Sequence, residues 1–140
     1  MTTSPDVLPT PVQAIVSAQA RRRPVTMITS DADGCPRACL PADGDLRVID
    51  DQHLRVALWP TSPTAVNLER GAPVLLIATA PPDVHLVHAT ARRLVNAAMI
   101  WAHYELTVTS SQIADHGTAP QAQPAQFSNT TSTRGEVLEM

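Results

Sequence analysis

Apolar and polar residues change their spacing several times along the 140-residue chain, and each change marks an element. Residues 1–9 are polar and contain proline, which predicts a loose arm. Thr10 then suits a helix cap and Pro11 a first helical position, while Val12, Ile15 and Val16 recur at helical spacing. Arg21–Arg23 would close this helix, where its dipole favours cations, and Pro24 stops it. From Val25 the spacing is that of strands. Val25–Ser30 and Cys35–Leu40 flank Asp31-Ala32-Asp33-Gly34, a turn sequence, and predict a hairpin. Asp43-Gly44 is a second turn, Leu46–Ile49 a short strand, and His53–Trp59 alternates Leu54, Val56 and Leu58 on one face.

Thr61–Gly71 carries a complete set of local helix signals: Ser62 as cap, Pro63 at the first position, Gly71 just past the end. Val74–Ala78 is a continuous apolar run that predicts a buried strand, and Pro81-Pro82-Asp83 a turn. Val84–Val95 is long enough for a curved strand, and Met99–Ser110 alternates Tyr104, Leu106 and Val108 against His103, Glu105 and Thr107. The prediction is a mainly β fold: a six- to seven-stranded antiparallel split β-barrel, closed or nearly so, with an N-terminal helix and one short helix at about 62–70. A barrel hides the edges that so many short strands would otherwise expose. Residues 1–113 form the single domain of this reading. Residues 114–140, rich in Pro, Gln, Ser and Thr without hydrophobic period, form an extended tail.

Composition narrows the function classes. The formal charge of −3 and the absence of a concentrated basic face beyond Arg21–Arg23 argue against nucleic acid. All ten basic residues are Arg, so Schiff-base chemistry is excluded. No stretch reaches the ~20 apolar residues of a membrane span, and no basic segment leads into an apolar signal core, so a cytoplasmic protein with no membrane partner is expected. Cys35 and Cys39 lie about 13 Å apart on an extended strand, against the ~7 Å limit for a disulfide. Aromatic residues are 3% of the chain, namely Trp59, Trp101, Tyr104 and Phe127.

The start of the second helix is the first candidate site. Unpaired N–H groups at a helix start attract anions, and the Ser62 and Thr64 hydroxyls add donors. Trp59, just before Thr61, stands where a planar ligand could stack. For Trp101 and Tyr104, packing in the core or at an interface explains the residue type.

The order of elements, with the Asp33-Gly34-Cys35-Pro36 turn, the Ser62-initiated helix carrying Asn67-Leu68, and Pro73-Val74 opening the next strand, resembles the pyridoxamine-phosphate-oxidase-like, or flavin-reductase-like, split-barrel family. The resemblance covers about residues 20–110. It implies a homodimer that binds FMN, or F420 in some branches, at the subunit interface and oxidises or reduces a small molecule by hydride transfer. It places the cofactor phosphate at Thr61, Ser62 and Thr64. The family's cations are missing: Pro63 and Thr64 stand where Arg and Lys follow the serine, and Cys39 stands near the place of a second-strand Arg. Arg37 is the best substitute and Arg23 the next, with Trp59 bordering the ring.

Two alternatives follow from those missing charges: a cofactor-free enzyme that reuses the interface pocket for a small polar substrate, or a noncatalytic small-ligand binding protein. His103 and Glu105 share a strand face and would form the acid–base pair of the first, with Cys39 as a possible nucleophile. An exposed polar stripe and a small buried hydrophobe explain the same residues without chemistry. No metal site is expected, since His85 and His88 face opposite sides of one strand.

Overall fold

The computed structural model describes residues 10–42, 44–95 and 100–118. The expected N-terminal arm, Asp43, Met99, and the tail from residue 119 onward lie outside them. Helix α1 (Pro11–Ala20) starts at Thr10, whose backbone N–H donates to Gln13 Oε1 at 3.0 Å. It buries Val12, Ala14, Ile15 and Ala18, while Val16 is 45% exposed. The buried stripe therefore runs through positions 12, 15 and 18, and the expected place of Val16 on it is corrected: that residue falls on the flank. Arg22 ends the helix with a positive φ of 57°, and Arg22 and Arg23 donate back to the Gln19 and Ala18 carbonyls. This is a Schellman closure with arginine in the position that usually takes glycine.

The strands are β1 (Val25–Ser30), β2 (Pro36–Cys39), β3 (Leu46–Val48), β4 (His53–Leu58), β5 (Val74–Ala80), β6 (Asp83–Leu94) and β7 (Ala102–Ile113), with α2 (Pro63–Glu69) between β4 and β5. They form one antiparallel sheet in the order β2-β1-β5-β6-β7-β4-β3. The sheet curls into a half-barrel, and β2 and β3 remain its two edges instead of sealing it. The mainly β split-barrel class expected from the sequence is the one observed, with seven strands and two helices. Pro36 lacks an N–H for a further ladder, β2 and β3 are four and three residues long, and Arg37 and Arg47 put charge on them, features that protect an open edge.

Alternation reads directly as burial. Leu54, Val56 and Leu58 of β4, Val74, Leu76 and Ala78 of β5, and Ala102, Tyr104 and Leu106 of β7 face a core shared with Val12, Ile15 and Ala18 of α1. A register shift between His88 and Ala89 accommodates the pairing of the two 12-residue strands β6 and β7. Such bulges sharpen bending and let a long strand follow a curled sheet. On the opposite face, Ile28, Leu75 and His88 line up across β1, β5 and β6, and Thr26, Ile77 and Leu86 form the next row. All six are only half-buried.

Candidate functional site

Helix α2 is fixed at both ends by its own sequence. The Ser62 hydroxyl accepts from the Ala65 N–H at 3.2 Å, Pro63 brings no N–H to satisfy, and the Ser62 N–H donates to the Trp59 carbonyl. At the other end Gly71 takes φ +85°, and Gly71 and Ala72 donate to the Leu68 and Asn67 carbonyls, a second Schellman closure. Little anion-binding capacity is left at the start: Ala65 and Val66 donate to Ser62, and Thr64 is buried, at 4% exposure. The Ser62 O–H and the exposed Thr61 are the donors that face outward.

Thr64 stands close enough to Cys39 of β2 for its hydroxyl to act on the thiol. Burial pushes the Cys39 thiol up, and the Thr64 hydroxyl only partly offsets this. A thiol so placed is a poor nucleophile, because the thiolate is the reactive form. Cys35, in contrast, is exposed, and both cysteines are free.

Arg37 lies elsewhere. It grips Asp31 with two parallel hydrogen bonds, Nε to Oδ1 and Nη2 to Oδ2, each 2.9 Å. Those bonds, and a further one from Asn67, hold the Asp31 carboxyl down at about 2. Asn67 is the hub of this cluster. It is 3% exposed, its Nδ2 donates to Thr29 Oγ1 at 3.0 Å and to Asp31 Oδ1 at 2.9 Å, and its Oδ1 accepts from Arg70. Arg70 also donates to the Ser30 carbonyl. Asn67 follows Ser62 by five residues, roughly 7.5 Å along a helix axis. The structure thus brings Ser62, Thr64 and Cys39 together at one end of α2 and groups Arg37 with Asp31, Asn67 and Arg70 towards the other. Arg23 sits in the exposed turn after α1.

A second tie holds the far end of α2. The buried Tyr104 hydroxyl donates to Glu69 Oε2 at 2.6 Å, Arg93 also donates to that oxygen, and the Arg93 guanidinium lies 5.6 Å from the Tyr104 ring centroid. Burial, then the Glu69 bond, raises Tyr104 to about 12, and the Tyr104 and Arg93 bonds lower Glu69. Tyr104 is a core residue, whereas Trp101 is half-exposed. Trp59, also half-exposed, meets Trp101 edge to face at 5.6 Å between centroids and 78° between planes.

His103 and Glu105 do share the outer face of β7, in separate settings. Glu105 bonds Arg92 at 2.9 Å, which lowers it. His103 stands opposite Ala57 and lines a cleft with Trp101, Arg47 and Arg55. A shallow groove of about 230 Å³ lies beside the Ile28–Leu75–His88 row, lined also by Thr29, Ser30 and Pro73. Among the described residues no group of three His, Cys, Asp or Glu side chains is placed to hold a metal, and no helix is long and apolar enough to cross a membrane.

Sequence reasoning noticed Asn67 only as part of a motif and did not consider Asp31 or Arg70 for the site. A polar residue of poor helix propensity in the middle of a short helix was the available signal. Its partners Thr29 and Asp31 come from β1 and the turn after it, more than thirty residues away, and no local rule supplies them.

No family model and no curated protein matches the sequence. Solved structures do. A candidate pyridoxamine 5′-phosphate oxidase of Lactobacillus delbrueckii matches 76% of this chain and 93% of its own at 21% identity, with a TM-score of 0.59. An FMN-binding protein of Syntrophomonas wolfei matches 76% and 84% at 12% identity and 0.54, and the heme storage protein of Vibrio cholerae 72% and 92% at 12% and 0.56. At such identities the likeness is one of fold, and the chain has the split-barrel fold of the pyridoxamine 5′-phosphate-oxidase-like proteins.

Proposed function

We propose that this chain is a homodimeric split-barrel oxidoreductase that holds a flavin-type cofactor, FMN or an F420-like deazaflavin, between subunits and acts on a small molecule. The observation that carries the reading is the half-buried apolar face of β1, β5 and β6, where Ile28, Leu75, Ile77 and Leu86 stand in two cross-strand rows. A second copy covering this face would bury those side chains, and the adjoining groove at His88 would be shared. The ring would rest on apolar walls and on Trp59, with Thr61 and Ser62 donating to the phosphate. The cofactor supplies the hydride chemistry, and the protein orients it and excludes water.

The phosphate fits this chain poorly. Thr64 is buried against Cys39, and Arg37 is occupied by Asp31. A phosphate must compete with that carboxylate for the guanidinium, so FMN affinity should be orders of magnitude below that of a site with dedicated cations. The same pairing favours a second reading, a cofactor-free enzyme or a noncatalytic binding protein that keeps the interface groove for a small ligand. The absorption spectrum of the purified protein, with mass spectrometry of what denaturation releases, separates the two. A flavin or deazaflavin spectrum supports the first reading. A colourless protein whose melting temperature is unmoved by FMN or F420 refutes it.

A further inference from the structure

The outer face of β3, β4 and β7 carries a run of charge. Cross-strand register places Arg47 beside Arg55, Arg55 beside Glu105, and Glu105 beside Arg92. Like charges directly opposite on one sheet face destabilise it. Glu105 is already bonded to Arg92, so three guanidinium groups share one carboxylate in this row. Among the described residues neither Arg47 nor Arg55 has an ion-pair partner, and Arg55 Nε is buried with no hydrogen-bond partner. A buried donor left in that state is costly, and an acceptor brought to it is correspondingly favoured.

A cleft of about 220 Å³ opens at this spot, lined by Gly44, Asp45, Arg47, Arg55, Ala57, Trp101 and His103. That is room for a small molecule. Asp45 is the one carboxylate among the lining residues, against two arginines and an imidazole. Trp101 forms an aromatic wall, held edge-on by Trp59 from the loop before α2. Trp101 is 48% and Trp59 53% exposed, so ring surface remains for a ligand to cover.

We propose that this cleft binds a small organic anion, a carboxylate or phosphate monoester carried on a planar ring, with Arg55 and Arg47 taking the anion and Trp101 the ring. A guanidinium offers paired donors to either oxyanion, and a charge-assisted bond is about twice as strong as a neutral one. His103 adds a third donor or acceptor at the wall. The cleft's anion contacts, Arg47 and Arg55, are not residues of the flavin reading, and Trp59 borders both sites.

The chain contains two tryptophans, Trp101 lining the cleft and Trp59 packed on Trp101, so intrinsic fluorescence reports on this site. The full chain is titrated with phenyl phosphate, benzoate, inorganic phosphate and benzyl alcohol, with calorimetry alongside to register binding that leaves fluorescence unchanged. Saturable binding of phenyl phosphate or benzoate is expected, weaker binding of inorganic phosphate, and none of benzyl alcohol. The tighter of the two aryl anions identifies the anionic group. Arg55→Met and Arg47→Ala are each expected to weaken binding by about tenfold or more, and Asp33→Ala, in the exposed β1–β2 turn at the other end of the strand order, to leave it unchanged. Arg47 is exposed, so its replacement decides the matter if the Arg55 variant fails to fold. The proposal is overturned if neither aryl anion binds at millimolar concentration, if benzyl alcohol binds as well as they do, or if Arg47→Ala binds like the parent protein.

Discussion

Replacing Asn67 by leucine tests whether α2 is anchored to β1 through one buried amide. The substitution keeps a side chain of similar size while removing the donor to Thr29 Oγ1, a bond of 3.0 Å between groups that are 3% and 2% exposed. A net hydrogen bond contributes about 1 kcal/mol, and a hydroxyl stranded without a partner costs about 1–3 kcal/mol. The expected loss is therefore about 2–4 kcal/mol. In a domain of roughly 100 residues this lowers the melting temperature by about 10–20 °C. The assay is urea unfolding of the parent, Asn67→Leu, Thr29→Val and the double variant. Removing both polar partners leaves no stranded group at this pair, so the double variant should be more stable than the sum of the single losses predicts by at least about 1 kcal/mol. Strict additivity, or a loss under about 0.5 kcal/mol for Asn67→Leu, would refute the assignment of Asn67 as the hub.

The single tyrosine of the chain makes the Tyr104 environment directly measurable: its phenolate absorbance should appear near pH 12 in the folded protein and near pH 10 in denaturant. Because the folded value is raised, the associated stability is present below pH 10 and lost as pH rises towards 12, and Tyr104→Phe should remove that loss in alkaline urea titrations. For Asp31 the folded value is depressed to about 2 from 3.8, so its contribution is full above the higher value and disappears as pH falls through the lower. Asp31→Asn should therefore remove part of the acid sensitivity between these limits, measured as the change in urea midpoint with pH. Brief alkylation at neutral pH should label the exposed Cys35 well before Cys39, whose thiol is raised by burial, and equal labelling by mass spectrometry would contradict that placement. Leu86→Asp should shift the protein from dimer to monomer in light scattering, and an unchanged mass would count against the β1–β5–β6 face as the subunit interface.

Local signals in the sequence account for most elements and for one complete helix. Ser62, Pro63 and Gly71 specify the ends of α2 through backbone groups within a few residues, so the pattern is legible without any tertiary knowledge. The alternations of β4 and β7 likewise name their buried residues, because side chains on a strand point alternately to two faces. What sequence could not supply is which strand lies beside which. That order decides that Arg37 meets Asp31, that Asn67 reaches Thr29, and that Arg47, Arg55 and Glu105 stand in one row. It also decides that the short strands β2 and β3 are the two edges of the sheet. Helix caps depend on neighbours in the chain, whereas charge pairs and clefts depend on neighbours across the sheet. The start of α2 was therefore readable as an element from sequence alone, and its shortage of free cations became a structural fact only when the fold assigned Arg37 its partner.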